Sequence, residues 1–162
     1  MTKLTKNEIS EVSLEWMHMS DTSYLESFFN SRYLIPYFEE LKNHEVIEIG
    51  PGDNPINKHF PCKEYSEAHG YPPHDGLSVL REKKDASVVV VSFGVIDDCI
   101  LMPKHRNSEL LLKYVEELVN EIKRVTNPFS IIVGNSAQKY MGNPDIPTSS
   151  DWLKSGGVYL RK

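Results

Sequence analysis

Several features that mark common protein classes are missing from this sequence. Its two cysteines, Cys62 and Cys99, form no C-x-x-C pair, which argues against both a disulfide scaffold and a zinc ribbon. No basic run interleaves with aromatic residues, and the formal net charge is −5, so the electrostatic pattern of a nucleic-acid binder is missing. The longest mostly apolar run, Ala86 to Ile96, has 11 residues, and a helix that spans a bilayer needs about 20.

The N-terminal residues and the length of the chain narrow the possible classes of protein further. Residues 1–7 have no apolar core of the kind that a secretory signal peptide carries. We therefore expect a soluble protein of the reducing cytoplasm, with neither nucleic acid nor a membrane as partner. A chain of 162 residues with 40% hydrophobic residues has the size of one compact domain. We predict a single domain over 1–162, in which 1–43 form an N-terminal helical cap and 44–162 form the core.

Helical patterns dominate the first 43 residues, and strands alternate with helices after them. Pro36 should restart a short helix, because proline has no amide proton and favours the first helical position. The apolar stripe from Leu111 to Val125 predicts a long helix that begins near Ser108 and ends before Pro128. The predicted strands are 46–49, 86–93, 129–133 and, at the edge of the sheet, 158–160. This alternation predicts an α/β fold with a mainly parallel sheet.

The first predicted strand runs into a turn rich in glycine, Gly50-Pro51-Gly52-Asp53. In such sheets ligands bind beyond the carboxyl ends of the strands, and glycine lets the backbone approach a ligand closely. Asn54 as cap and Pro55 as first residue would start a helix whose amides face that ligand. The same residues would also suit a plain tight turn, so the pattern leaves both functions open.

Two well-known phosphate motifs do not fit this turn. A dinucleotide fingerprint needs a third glycine where Pro55 stands, which disfavours a nicotinamide-dependent enzyme. The Gly-Lys-Ser/Thr end of a P-loop is also missing.

Three segments in order, 46–52, 85–96 and 121–133, resemble the first motif, the fourth strand and the fifth strand of the class I S-adenosylmethionine-dependent methyltransferases. The resemblance implies a Rossmann-like three-layer sandwich with N-terminal helices. This chain would be a short and divergent member with a reduced strand count, because only 18 positions separate Glu67 from Asp85, which leaves little room for a third strand and its helix.

The resemblance also implies S-adenosylmethionine as cofactor and assigns roles to particular residues. Glu48 would fix the turn and the amino group of the cofactor, Glu67 or Glu64 would bind the ribose, and the end of the fourth strand would face the methyl group or the adenine. The implied cofactor-binding residues are Glu48, Gly50, Pro51, Gly52, Asp53, Glu67, Ser92 and Phe93.

The implied function is methyl transfer to a small-molecule acceptor, which needs alignment of the reactants and no obligatory base. Members of the family that methylate nucleobases or glutamine often carry Asn/Asp-Pro-Pro-Tyr/Phe after strand four, whereas this chain has Ser-Phe-Gly-Val at 92–95. Such amides are therefore disfavoured as substrates. The alternative is a catalytically inactive Rossmann-like module for binding or assembly, which the missing third strand favours.

Other polar and aromatic residues keep alternative roles. His59, Cys62, His69 and His74 match no common zinc spacing, so we expect no metal site. One of His69, His74 and Asp75 could act as a base near the pocket. The N-terminal aromatic residues could pack on the sheet, form a lid over the acceptor pocket or form the face of a homodimer.

Overall fold

A computed structural model describes residues 3–13, 32, 34–51, 55–68, 73–84, 87–91, 108–132, 146–147 and 157–161. Within these ranges the helices are α1 (Lys6–Ser13), α2 (Ile35–Glu40), α3 (Gly76–Arg81) and α4 (Ser108–Val125), with 3₁₀ turns at Leu41–Asn43 and Ile56–Lys58. The strands are β1 (Glu45–Ile49), β2 (Glu64–Ala68), β3 (Ser87–Val91), β4 (Thr126–Ile132), β5 (Ile146–Pro147) and β6 (Gly157–Leu160).

The strands form one mixed sheet in the order β2-β1-β3-β4-β6-β5. The pairs β1–β2, β1–β3 and β3–β4 are parallel, whereas β6 runs antiparallel to both β4 and β5. Ile49, at the end of β1, is in register with Ala68 of β2 and Val91 of β3. The carboxyl ends of these three strands therefore meet at one end of the sheet, where β1 runs into the glycine turn.

Helix α4 follows the predicted apolar stripe. Val115, Leu118, Ile122 and Val125 are fully buried and follow one another at helical spacing. The predicted bounds of the helix are confirmed. Pro128 is not what ends the helix, however, because β4 begins directly at Thr126. Pro128 lies inside β4, at a register shift against β3, where a residue without an amide proton does not break the ladder.

One face of the sheet is covered by α1, α3 and α4. Alternate residues of a strand lie on opposite faces, and Ile47 and Ile49 of β1 belong to the larger apolar cluster, which we call the helical-face cluster. Its buried members are Leu4, Ile9, Ile47, Ile49, Ala68, Leu77, Leu80, Tyr114, Val115, Leu118, Val119, Ile122, Val125 and Tyr159. Arg81 and Glu117 form an ion pair that also holds the backbone carbonyl and amide of Leu4.

Within the described residues, the other face is covered by short segments. Its apolar cluster, the short-segment cluster, consists of Leu34, Phe38, Leu41, Val46, Ile56, Phe129, Ile131 and Val158. Helix α2 has six residues and begins at Ile35, one residue before the predicted start at Pro36, and a 3₁₀ turn follows it. The rings of Phe38 and Phe60 stack with their centroids 4.7 Å apart.

The predicted Rossmann-like three-layer sandwich is wrong. Among the described residues, no second full layer of helices is present, since α2 and the two 3₁₀ turns are what lies on the second face. The physical reason lies after β1, where Pro55 and Pro61 bracket the crossover and leave room for a 3₁₀ turn at Ile56–Lys58. The edge position predicted for 158–160 is also wrong, because β6 lies between β4 and β5.

Candidate functional site

The glycine turn begins with a residue in the left-handed region. Gly50 has φ 67, a conformation that costs an L-residue with a Cβ about 1 kcal/mol or more. Its amide donates to the carbonyl of Ala68 at 2.9 Å, so the turn is fixed to the end of β2. Pro51 is buried behind it. The chain therefore bends sharply at the point where the sheet ends, with no side chain on Gly50 to cover the backbone.

A buried carboxyl group closes the loop that follows. Glu48 is 2% exposed, and its Oε1 accepts a hydrogen bond from the amide of Ile56 at 2.7 Å. The same oxygen accepts the hydroxyl of Tyr65 at 2.6 Å. Residues on either side of the turn are thus joined through one side chain, and Glu48 acts as a clamp on the loop between β1 and the 3₁₀ turn.

Tyr65 lies between two carboxyl groups. Its hydroxyl is 2.6 Å from Glu48 Oε1 and 3.2 Å from Glu67 Oε1. A phenol has one proton, and the shorter distance assigns it to Glu48. Burial raises the pKa of the Tyr65 phenol far above its ordinary value, and the hydrogen bond with Glu48 raises it further. Tyr65 is therefore a proton donor that does not ionise in the physiological range.

Cys62 lies close enough to Glu48 to be affected by its charge. Its thiol lies 3.6 Å from the carbonyl of Phe60 and is partly buried. Burial raises the pKa of the Cys62 thiol to about 11, and the negative charge of Glu48 adds to the shift. Because the thiolate is the reactive form of cysteine, this residue is not suited to act as a nucleophile near neutral pH.

A second buried carboxyl group lies on the opposite face of β1. Asp75 caps α3: its Oδ2 accepts the amide of Ser78 at 3.1 Å and the hydroxyl of Tyr114 at 3.0 Å. A Cβ built on the next residue, Gly76, would lie 2.9 Å from Cγ2 of Ile49. This close approach packs the start of α3 against Ile49, the last residue of β1, on the face of the sheet opposite to Glu48.

The structure brings four of the predicted binding residues together. Glu48, Gly50, Pro51 and Glu67 lie at the carboxyl ends of β1 and β2, where Glu48 and Glu67 are neighbours in register. Glu64 instead pairs with Glu45 at the amino end of the sheet. The geometry therefore favours Glu67 over Glu64 as a ligand-binding residue. Gly52, Asp53, Ser92 and Phe93 lie outside the described residues.

Two side chains that hold the site are not among the residues predicted from the sequence. Tyr65 stands two positions before Glu67 and so lies on the same face of β2, which is the signal that could have found it. Nothing in the sequence indicates the role of Tyr114. Its spacing fits the apolar stripe of α4, and its contact joins it to Asp75, which is 39 positions away in the chain. Of the three candidate bases, Asp75 is buried, His74 is exposed and His69 lies outside the described residues.

The polar residues near the turn give no metal centre in the described ranges. There, no group of three or more histidine, cysteine and acidic side chains could hold a metal ion. His59 is exposed, and Cys62 donates to a carbonyl.

Comparison with known proteins gives no match, whether to protein-family models, to curated proteins or to solved structures. The resemblance to the methyltransferases thus stays a prediction. In the part of the chain that the structure describes, no helix has both the length and the apolar character needed to cross a membrane.

Proposed function

We propose that this chain binds S-adenosylmethionine at the glycine turn and transfers the methyl group to a small molecule. One arrangement supports the proposal. A glycine in the left-handed region follows β1, and Glu48 and Glu67 stand in register one residue before the ends of β1 and β2. The carboxyl ends of parallel strands are where α/β sheets hold their ligands, and two carboxyl groups favour a ligand that carries positive charge.

Each residue of this arrangement has a role that its surroundings fit. The backbone at Gly50 and Pro51 would lie under the methionine part of the cofactor, since Gly50 has no Cβ to keep a ligand away. Glu48 is buried and bonded to Ile56 and Tyr65, so it keeps the turn in one conformation. Glu67 is exposed at the end of β2, and its carboxyl group suits the two ribose hydroxyls.

The proposed chemistry relies on alignment. The bound cofactor supplies a methyl group on a cationic sulfur, and such a group needs a correctly placed acceptor rather than an enzyme nucleophile. The raised pKa values of Tyr65 and Cys62 agree with a reaction that uses no enzyme nucleophile, because neither side chain ionises near neutral pH. We place the reaction in the cytoplasm, with a small-molecule substrate and neither nucleic acid nor a membrane as partner.

A catalytically inactive binding or assembly module is the second candidate. The crossover after β1 favours it, because a single 3₁₀ turn at Ile56–Lys58 offers a ligand fewer amide groups than a helix would. A homodimer would fit either candidate.

The two glutamates of β2 provide a matched test of the proposal. We expect Glu67→Gln to weaken the binding of S-adenosylhomocysteine, measured by calorimetry, by about tenfold, which corresponds to about 1.4 kcal/mol. Glu64→Gln, which makes the same charge change at the other end of the strand, should stay within about twofold of the unmodified protein. Equal affinities for both variants would remove Glu67 from the site. Binding by none of the three proteins would favour the inactive module.

A further inference from the structure

Tyr65 connects the glycine turn to an exposed carboxyl group. It is in register with Val46, which belongs to the short-segment cluster, and its own ring packs against that cluster. Two positions further along the same strands, Glu67 is in register with Glu48. Alternate residues of a strand share a face, so all four side chains lie on the same face of the sheet. The Tyr65 hydroxyl therefore lies between Glu48, which closes the turn, and Glu67 near the end of β2.

The phenol has one proton for two neighbouring acceptors. It donates that proton to Glu48 at 2.6 Å, and burial raises the pKa of Tyr65, so the phenol keeps its proton. The phenol oxygen therefore faces Glu67 Oε1, 3.2 Å away, with its lone pairs. Two acceptor oxygens at this distance are favourable only when hydrogen-bond donors from elsewhere reach them.

A ligand can reach these two oxygens from solvent. The contact between Tyr65 and Glu67 is exposed, whereas the contact between Tyr65 and Glu48 is partly buried. The phenol is nevertheless held in place, because its ring packs against the short-segment cluster and its hydroxyl is bonded to Glu48. Glu48 in turn accepts the amide of Ile56 across the glycine turn. The phenol oxygen is thus a preorganised acceptor at the carboxyl end of the sheet, where α/β sheets hold their ligands.

We propose that Tyr65 is a further ligand-binding residue, and that its phenol oxygen and the Glu67 carboxyl group together receive two neighbouring hydroxyl groups of the ligand. The inference rests on the proposed binding of S-adenosylmethionine, whose ribose carries such a pair, and adds Tyr65 to the site. The two hydroxyls supply donors on adjacent carbon atoms, and this spacing suits two acceptors 3.2 Å apart. Each hydroxyl donates one hydrogen bond, and no proton is transferred.

The first part of the test needs no variant. S-Adenosylhomocysteine and its 2′,3′-dideoxy analogue are titrated into the unmodified protein by calorimetry. The analogue lacks both hydroxyl donors, so we expect it to bind about tenfold more weakly or worse. Affinities within about twofold of each other would mean that water alone contacts the two oxygens, and would overturn the proposal.

The second part titrates the same two ligands into Tyr65→Phe, which loses the phenol oxygen and keeps the ring. We expect S-adenosylhomocysteine to bind about fivefold more weakly than to the unmodified protein, because one hydrogen bond is lost. The affinity for the dideoxy analogue should change by no more than about twofold, since the analogue has no hydroxyl to donate. Glu48 keeps the amide of Ile56 as a donor, so the turn should stay closed. If Tyr65 only supports the turn, both ligands lose affinity by the same factor, and the proposal is overturned.

Tyr37→Phe is the matched control. Tyr37 also packs against the short-segment cluster, where its ring meets Phe129 edge to face with the centroids 5.1 Å apart. Loss of its hydroxyl should leave the affinities for both ligands within about twofold of those of the unmodified protein. Circular dichroism checks the fold of each variant. If Tyr65→Phe does not fold, the comparison of the two ligands on the unmodified protein decides.

The proposed function and the role of Tyr65 can fail separately. If the unmodified protein does not bind S-adenosylhomocysteine, the proposed function fails, and the inference fails with it. If S-adenosylhomocysteine binds but the dideoxy analogue binds equally well, or if Tyr65→Phe weakens both ligands equally, the inference alone is overturned.

Discussion

The two faces of the sheet are covered in different ways. One face carries the 18-residue helix α4 with α1 and α3 packed beside it, and the other carries a six-residue helix and two 3₁₀ turns. The N-terminal 43 residues contribute to both, since Leu4 and Ile9 join the helical-face cluster and Phe38 and Leu41 join the short-segment cluster.

The two buried carboxyl groups near the end of β1 are also held in different ways. Asp75 is fixed on the helical face, by Tyr114 of α4 and by the close packing of Gly76. Glu48 lies on the side of the short segments, where none of the described helices next to the loop is longer than six residues. There the carboxyl group itself joins Ile56 to Tyr65. Packed helices and their hydrogen bonds thus position Asp75, whereas the hydrogen bonds that Glu48 accepts position the loop around it.

We expect the largest loss of stability when one buried leucine of each cluster is replaced by alanine. Leu118 and Leu41 are both fully buried. We expect Leu118→Ala to lower the free energy of unfolding by about 4 kcal/mol, because α4 and the sheet cannot collapse into the cavity. Leu41→Ala should cost about 2.5 kcal/mol, because a 3₁₀ turn can move inward. Urea denaturation measures both values. Equal losses would mean that the short segments are as rigid as α4.

The next effect tests the clamp at Glu48. Glu48→Ala leaves the amide of Ile56 and the hydroxyl of Tyr65 without their acceptor, and we expect a loss of about 3 kcal/mol in unfolding free energy. Glu48→Gln keeps an acceptor oxygen and should cost about 1 kcal/mol. Thermal unfolding of the two variants checks the order. A loss in Glu48→Ala no larger than in Glu48→Gln would contradict the clamp.

The smallest effect is a shift in the titration of Cys62. In a Cys99→Ser background, the rate of alkylation by iodoacetamide should rise with a midpoint near pH 11, because the folded thiol has a pKa of about 11. The thiol of an unfolded chain titrates near pH 9.0. Folding therefore favours the protonated thiol, and this contribution to stability is present below pH 9 and lost as the pH rises through about 11.

Glu48→Gln is the control for that titration. It removes the negative charge that helps to raise the pKa of Cys62, so the midpoint should move to lower pH while burial keeps it above 9.0. An unchanged midpoint would mean that Glu48 carries no charge next to the thiol.

Local signals in the sequence are enough to predict some of the helices and turns. The apolar stripe predicts the bounds of α4, and the ring of Pro36 predicts the start of α2, because both effects act within one or two helical turns. The glycine turn after β1 is found in the same way, from residues that are adjacent in the chain.

Contacts between distant segments could not be predicted from those signals. The position of β6 inside the sheet depends on its pairing with both β4 and β5, and nothing in residues 157–160 specifies two partners. The pairing of Asp75 with Tyr114 likewise depends on how α3 packs against α4. The three-layer sandwich follows from a resemblance in three segments, whereas the prolines after β1, which shorten the elements on the second face, act against it.

We expect the glycine turn between Glu48 and Ile56 to bind a sulfonium cofactor. The decisive measurement is calorimetric titration of the unmodified protein with S-adenosylmethionine, S-adenosylhomocysteine and NAD. We predict binding of the first two with dissociation constants in the micromolar range, about −8 kcal/mol, and no binding of NAD. Binding of none of the three, or of NAD alone, would contradict the claim.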